Sequence, residues 1–512
     1  MTETPSPQPD ASVSSTMAPL TEDRTAPSGL LAGYDTDGFY DEAVDDAGEL
    51  RPEYEVLFDR LRAMTHEELA RRAAMSDDTM RKRGVTFTLT AEPDAEGDED
   101  LERTLPMDVL PRVIGGAAWR ELEAGLIQRV SALNAFLEDL YVGERAAVRD
   151  GIVPWWLVTS SDGFVREAVG VPAPSGVRCL VAGLDLVRGA DGRLRVLEDN
   201  LRNPSGISYV LENRDLMTRL FPSIVRAHRV RPVGNYGELL LRALRSVAPA
   251  GVADPCVVVM TPGIHNAAYF EHAFLAHQMG VELVEGNDLL VDGQRVYMRT
   301  TEGPRPVHVI YRRLDDRFLD PVGFRSGSYI GVPGLLTAAR AGTVTLANAV
   351  GNGVADDKAV YPFVPDLVRY YLNEEPLLPN VGTYCLWDPD QRAAVLDRLD
   401  ELVTKPVDGA GGYGLVIGPR ASDEELAVLR AEIEADPRGW ISQEVVQLSR
   451  VPTVAEDGLA GRHVDLRPFI ISSADGIEVV PGGLTRVALE KGSLIVNSSQ
   501  GGGSKDTWVL RG

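Results

Sequence analysis

Apolar residues recur at helical spacing over 52–82. Tyr54, Leu57, Leu61 and Met64 are followed by THEELARRAA, where Thr65 and Glu68 have the spacing of a capping box. A stronger pattern, Trp119, Leu122, Leu126, Val130, Leu133, Leu137 and Leu140, predicts a long amphipathic helix. Its polar members, Gln128 and Arg129 among them, are expected at the surface. The pattern then shortens. RCLVAGLDLVRGADGRLRVLEDN (178–200) predicts two strands joined by a tight ADG turn. From about 236, PCVVVMTPG, the helical NAAYFEHAFLAHQMG and VELVEG read as strand, helix, strand, a parallel α/β unit with its ligand edge at the strand C-termini. GPRPVHVIYRR and GTVTLANAVGNG continue it. The last third mixes strands (ELVTKPV, GYGLVIG, WISQEVV, DLRPFII, IEVVPGGLTRVAL) with a charged helix near 422–435, and no internal repeat is evident.

Composition narrows the class. At 512 residues the chain has room for two or three domains. Its three cysteines, Cys179, Cys256 and Cys385, are far apart, which suits a reducing compartment and neither a disulfide frame nor a structural zinc. No apolar run has the length of a membrane span, and the first 35 residues read as a disordered tail, so a cytoplasmic protein without membrane contact is expected. The 76 acidic against 51 basic residues leave a formal charge of −25, which argues against nucleic acid as a partner. The runs DEAVDDAGE and EPDAEGDED are expected as solvated surface.

Three stretches carry candidate chemistry. In LVTKPVDGAGGYGLVIGP a strand delivers Lys405, and Gly409, Gly411, Gly412 and Gly414 precede a second strand. Backbone N–H groups of such a loop can close over phosphate oxygens where side chains would block the approach. The spacing matches neither a Walker loop nor a dinucleotide fingerprint, and a flexible hairpin tip would look the same. In WISQEVVQLS, Gln443 and Glu444 can offer polar groups to adenine and ribose, though an amphipathic strand explains them as well. In the predicted hairpin, Glu198 and Asn200 share a face that Asp185 can reach from the neighbouring strand. Their oxygens are hard ligands suited to Mg²⁺, and a surface ion-pair cluster would use the same residues. Arg202 and Arg214, just beyond, are candidates for anionic substrate groups.

Together these motifs resemble the ATP-grasp family, with their blocks in reversed order. Asp185, Glu198 and Asn200 precede Lys405, the glycine loop and Glu444, as a circular permutation would produce. The terminal stretch 465–505, with Asp465, Arg467, Arg486 and Asn497 on its polar positions, resembles the segment that ordinary members place just before the metal hairpin. Asp357-Lys358 in GNGVADDKAVYPFVP resembles the family's D-K, whose lysine reaches an ATP phosphate. More narrowly, LEDNLRNPSGISYVLENR with TPGIHNAAYFEHAFLA is similar to the bacterial circularly permuted (type 2) group related to glutathionylspermidine synthetase.

The resemblance covers roughly residues 150–512. It implies an α+β chain: a circularly permuted ATP-grasp fold with mixed and antiparallel sheets and an inserted α/β subdomain like the pre-ATP-grasp domain. The expected segments are a disordered tail (1–35), a helical region (36–150), a permuted ATP-grasp segment with the metal hairpin (151–235), the inserted subdomain (236–350) and a nucleotide-binding segment (351–512). It also implies an ATP- and Mg²⁺-dependent carboxylate–amine ligase working through an acyl phosphate on small-molecule or peptide substrates. Phosphotransfer and non-catalytic nucleotide binding are the alternatives. By this resemblance Asp185, Glu198 and Asn200 hold the metal. Lys358, Lys405, Gly411, Gly412, Gly414, Gln443 and Glu444 hold the nucleotide. One departure stands out: the family's arginine two residues before the metal aspartate is Gly183 here, leaving Arg467, Arg486 or Arg202 to act on the transferred phosphoryl. Ser205, Asn266, Arg312 and Asn497 are the substrate candidates. Arg312 suits a carboxylate clamp or a surface salt bridge, and His265 a base or a structural histidine.

Overall fold

The computed structural model describes residues 29–89, 101–409, 412, 414–493, 496 and 501–512. The predicted hairpin is present, Val181–Arg188 running antiparallel to Leu194–Asn200. Phe469–Ser473, from near the chain's end, pairs with its first strand, and Gly476–Val479 completes a four-stranded antiparallel sheet. Segments remote in sequence are thus direct neighbours, as a permuted chain requires. Asp185 lies opposite Glu198 and Gly183 opposite Asn200, and a bulge after Asp185 makes Leu197 the extra residue. Such a bulge bends the strand and re-aims the side chains beside it.

The helix Gly116–Tyr141 packs against this sheet on one side and the helix Val364–Leu372 on another. Its polar residues do not face solvent as expected. Arg129 is buried and chelates the carboxylate of Asp199 with Nε and Nη2 at 2.7 and 2.6 Å, while Nη1 reaches Asn380 Oδ1 at 2.7 Å. Gln128, also buried, donates to Glu374 and to the Glu375 carbonyl. The reason is tertiary: the stripe that would be wet on a surface helix is covered by residues 364–380.

The acidic run at 41–49 is likewise only partly solvated. Asp41 and Glu42 are buried, and Glu42 takes bonds from Arg112, Arg188 and Ser449. EPDAEGDED lies outside the described residues. Of the expected tail, residues 29–35 are described, and Leu30 and Leu31 are buried in the core. The capping box at Thr65–Glu68 forms as the spacing predicts.

The region expected to be helical also supplies a strand. Met107–Ile114 is buried along its whole length and runs parallel to Gly503–Val509, itself antiparallel to Thr485–Val487. A near-continuous apolar run such as MDVLPRVI suits a strand covered on both faces. Arg214, a candidate anion holder, is a strap here instead. It bonds Asp506 at 2.8 Å and the Arg231 and Thr507 carbonyls, tying the helix Ile207–Leu220 to that last strand.

The α/β unit has the predicted parallel sheet, ordered Thr345–Ala347, Val309–Arg312, Val257–Met260, Glu282–Val284, with the helix Tyr269–Met279 following its Val257–Met260 strand. A second antiparallel sheet, ordered Thr383–Cys385, Trp440–Glu444, Leu402–Pro406, Val416–Ile417, carries Lys405 and the Gln443-Glu444 pair. Among the described residues no helix is long and apolar enough to cross a membrane.

The Arg129–Asp199 pair anchors the hairpin from behind. Removing one partner of a buried pair leaves an uncompensated charge, so Arg129→Ala should destabilise by about 3–5 kcal/mol. The double change Arg129→Met with Asp199→Leu should cost clearly less. Urea unfolding of the three proteins measures this, and equal losses in both variants would count against the pair's role.

Candidate functional site

One cleft of about 510 Å³ gathers most of the predicted chemistry. The acidic hairpin forms one wall with Asp185, Glu198 and Asn200. Lys358, Lys405, Gly409 and Gly412 form the facing wall, and Gln443 and Glu444 line it from the strand Trp440–Glu444. Arg202, Ser205, Arg467 and Arg486 border the same space. The acidic hairpin and the glycine loop therefore face each other, although two hundred residues of sequence separate them.

The hairpin face offers two carboxylates and one carboxamide. Asn200 Nδ2 sits 3.5 Å from Glu198 Oε1, and Glu198 is about a quarter exposed, toward the cleft. No set of three or more His, Cys, Asp or Glu residues is grouped for a metal among the described residues, so the amide of Asn200 has to complete any cation site. This all-oxygen donor set fits Mg²⁺, which binds through few protein ligands and keeps the remainder for water and phosphate.

Asp185 is already engaged. Arg467 grips it with Nε and Nη2, the latter at 2.8 Å, and Arg486 Nη2 reaches it at 2.7 Å while also pairing with Asp465. Burial opposes ionisation of Asp185, but the two guanidinium groups outweigh it and hold the carboxyl below the usual range. Asp465 goes the other way, raised by burial against the pull of Arg486. The geometry also accounts for Gly183. A methyl group there would lie 2.9 Å from Pro204 Cβ and 3.3 Å from Arg467 Cδ, so the stem of Arg467 fills the space that a side chain at 183 would need.

On the facing wall Lys358 Nζ donates to the Gly409 carbonyl and stands 3.9 Å from Glu198 Oε2. Its neighbour Asp357 pairs with Arg438 at 2.6 Å and caps Ala359, a structural task. Lys405 is buried, and burial pushes its ammonium down to about 8 against the opposing field of Glu198. Gln443 Nε2 is tied to Thr383 at 3.0 Å, while its buried Oε1 has no partner among the described residues. Glu444 accepts from Tyr384 and is about 43% exposed. Gly412 and Gly414 both have positive φ, +80° and +71°, which a glycine accommodates freely. Gly411 and Asn497 lie outside the described residues.

The substrate candidates divide. Ser205 lines the cleft, its hydroxyl held by Arg313 at 2.7 Å. Arg312 does not line it. It is fully buried, with its nitrogens on the carbonyls of Asn348, Leu314 and Ala349 and on Asp316. Successive residues at a strand end point to opposite sides, so Arg313 is the one that turns toward Ser205 and Glu271. Asn266 is also outside the lining, exposed beside His265 and capping Ala268 through its own Oδ1. Glu271 does border the cleft, yet its carboxylate is spent on the N–H groups of Gly206 and Ser208 at the start of the helix Ile207–Leu220.

Asp356 and Asp315 line the cleft and were not anticipated. The doubled aspartate in VADDK was the available signal for Asp356. Its oxygens accept the N–H groups of Leu201 and Arg202 at 2.6 and 3.2 Å, fixing the turn that leaves the hairpin. Asp315 follows a strand end with no motif around it.

Two expectations follow. Gly183→Ala should destabilise by about 1–3 kcal/mol through overpacking against Pro204 and Arg467, read from the urea midpoint; an unmoved midpoint would show spare room there. Burial pushes Asp356 up to about 7, so its support of the fold is full below its unfolded value near 4 and is lost as pH rises through 7. The loss amounts to about 4 kcal/mol by pH 8. Asp356→Asn should therefore show a smaller drop in stability between pH 5 and pH 8 than the parent, and parallel profiles would remove Asp356 as the cause.

The chain is similar to known proteins over most of its length. Residues 111–488 match the family described as circularly permuted ATP-grasp type 2. A Mycobacterium tuberculosis protein is 53% identical over 94% of this chain and 86% of its own length, and a Synechocystis protein 52% identical over 94% and 99%. A Frankia alni protein that carries the provisional name glutamate–cysteine ligase 2-3 is 46% identical over 98% of this chain, which spans 57% of that relative. Among solved structures, a glutathione synthetase-like effector from Globodera pallida in apo form superposes with a TM-score of 0.55, at 12% identity, over 87% of this chain and 98% of that one, a likeness of fold. With the hairpin, the lysines and the strand Trp440–Glu444 assembled in reversed chain order around one cleft, the chain belongs to the circularly permuted ATP-grasp type 2 family.

Proposed function

We propose that the protein is an ATP-dependent carboxylate–amine ligase. The observation that carries the reading is the convergence, in one cleft, of the Asp185–Glu198–Asn200 face with Lys358 and Lys405. The family as a whole works with ATP and Mg²⁺, which suits this pairing of hard oxygen ligands with two ammonium groups. The Frankia name joins two amino acids, which is consistent, but this chain spans little more than half of those proteins and the name does not say which part carries the activity.

In this reading a carboxylate oxygen of the acid attacks the γ-phosphorus of ATP, the bond to the bridging oxygen breaks, and ADP leaves. The amine nitrogen then attacks the acyl carbon, loses a proton, and expels inorganic phosphate. The protein's share is positioning and charge neutralisation. Lys358 and Lys405 hold the phosphate chain, and Gln443 and Glu444 meet the adenine edge and ribose. Asp185, Glu198 and Asn200 would hold Mg²⁺, which when bound neutralises charge on the β- and γ-oxygens. Arg467 and Arg486, both on Asp185, would be the guanidinium groups that act on the transferred phosphoryl. The glycine loop keeps water from the acyl phosphate.

The test is ADP release from the full chain with ATP, Mg²⁺ and pooled metabolites and peptides, followed by mass spectrometry of what changed. Glu198→Ala should lower turnover at least about a hundredfold, the scale of one lost transition-state charge contact, with its melting temperature near the parent's. Turnover close to normal would remove the hairpin as the metal face. Transfer of a carboxylate oxygen into the released phosphate separates ligation from simple phosphotransfer.

A further inference from the structure

Among the described residues three guanidinium groups border the cleft, and two of them are committed to buried carboxylates. Arg467, half-buried, rests on Asp185, and the buried Arg486 is shared between Asp185 and Asp465. Arg202 differs. Its side chain is about 35% exposed, and its one hydrogen bond among the described residues is Nη1 to Asp315 Oδ2 at 2.8 Å. Nε and Nη2 have no acceptor among the described residues. Asp315 is similarly open at 32%; its Oδ1 caps the short helix Asp316–Leu319 through the Arg317 N–H, and its Oδ2 meets Arg202 alone.

The two residues come from different parts of the fold. Arg202 leaves the metal hairpin, whereas Asp315 follows the strand Val309–Arg312, at the C-terminal edge of the parallel sheet where α/β units receive ligands. The backbone under Arg202 is fixed by Asp356 on its N–H and by Asn348 Nδ2 on the carbonyls of Leu201 and Arg202. The guanidinium is therefore free to change partner while its root stays still.

Resting on the ligase reading, we propose that Arg202 and Asp315 form a subsite for the zwitterionic head of an α-amino acid, the carboxylate on Arg202 and the ammonium on Asp315. A guanidinium and a carboxylate side by side match a carboxylate and an ammonium separated by one carbon. The ligand exchanges one internal ion pair for two, with no net charge stranded in the cleft. A polyamine would meet Arg202 and a simple dicarboxylate would meet Asp315, so the pair selects by repulsion as well as attraction. With both α-groups held, the group that reacts is on that substrate's side chain. A free amino acid meets these demands, and so does the unblocked head of a peptide linked through a side chain.

The full chain with Mg²⁺ and a non-hydrolysable ATP analogue is titrated with each free proteinogenic amino acid, its N-acetyl form and its methyl ester, and with spermidine and glutarate, reading the melting temperature. ADP release is then followed with ATP for the same set. At least one free amino acid is expected to stabilise the protein and drive ADP release, with both blocked forms weaker by about tenfold or more. Asp315→Ala should erase the preference for the free amine over the N-acetyl form, and Arg202→Ala the preference for the free acid over the ester. A purely structural ion pair would leave both ratios unmoved. ADP release that ignores the blocking groups, or that responds only to spermidine or glutarate, overturns this inference and leaves the ligase standing. No ADP release with any acid and amine, despite binding of the analogue, overturns the ligase reading and this inference with it.

Discussion

The largely buried alternation Asp465–Arg486–Asp185–Arg467 is the constraint on which the site depends. Each member would be prohibitively costly to bury alone, and each is tolerated because its neighbours compensate it. Asp185 comes from the hairpin, Arg486 from the strand Thr485–Val487, and Arg467 from the approach to Phe469–Ser473. The network thus fastens the acidic face of the hairpin to segments far along the chain and sets the angle at which Asp185 presents itself. Gly183 belongs to the same arrangement, because its missing side chain is what lets Arg467 approach.

The chemistry of the site was more legible than its surroundings. Alternation places Glu198 and Asn200 on one face whatever the rest of the chain does, and a glycine-rich turn after a strand-borne lysine is a local property. Arg129 and Glu42 were hidden because burial is not local: the amphipathic pattern assigns a polar stripe to solvent, and residues 364–380 and Arg112 cover those positions instead. Arg312 and Arg313 illustrate a finer limit. Both carry the same charge at the same strand end, and only the direction of each side chain separates a buried carbonyl anchor from a residue supporting Ser205. Asp315 had no signal, since it reaches the cleft through the packing of two segments that share no sequence pattern.

A common device runs through the cleft. Arg467 rests on Asp185, Lys358 on the Gly409 carbonyl beside Glu198, and Arg202 on Asp315. Charged groups placed to receive a charged ligand need a partner before it arrives, or desolvation would open the site. Here each has one within the protein, and in the ligase reading ligand binding would be an exchange of partners. The depth of each pair grades how readily it exchanges. Asp185 with its arginines is nearly dry, whereas Arg202 and Asp315 are a third exposed, so the outer pair yields more easily than the inner one.

The same energetics explain how the fold tolerates reversed connectivity. Bringing distant segments together adds a chain-entropy term that grows only with the logarithm of their separation, about 0.6 kcal/mol for each doubling. Breaking a buried ion pair costs about 3–5 kcal/mol. Sheet register and the charge network are therefore far stiffer than chain order, and moving the ends leaves both intact. The strand Gly503–Val509 is in turn covered by its parallel pairing with Met107–Ile114. The region before the hairpin is thereby part of the architecture that holds the cleft together.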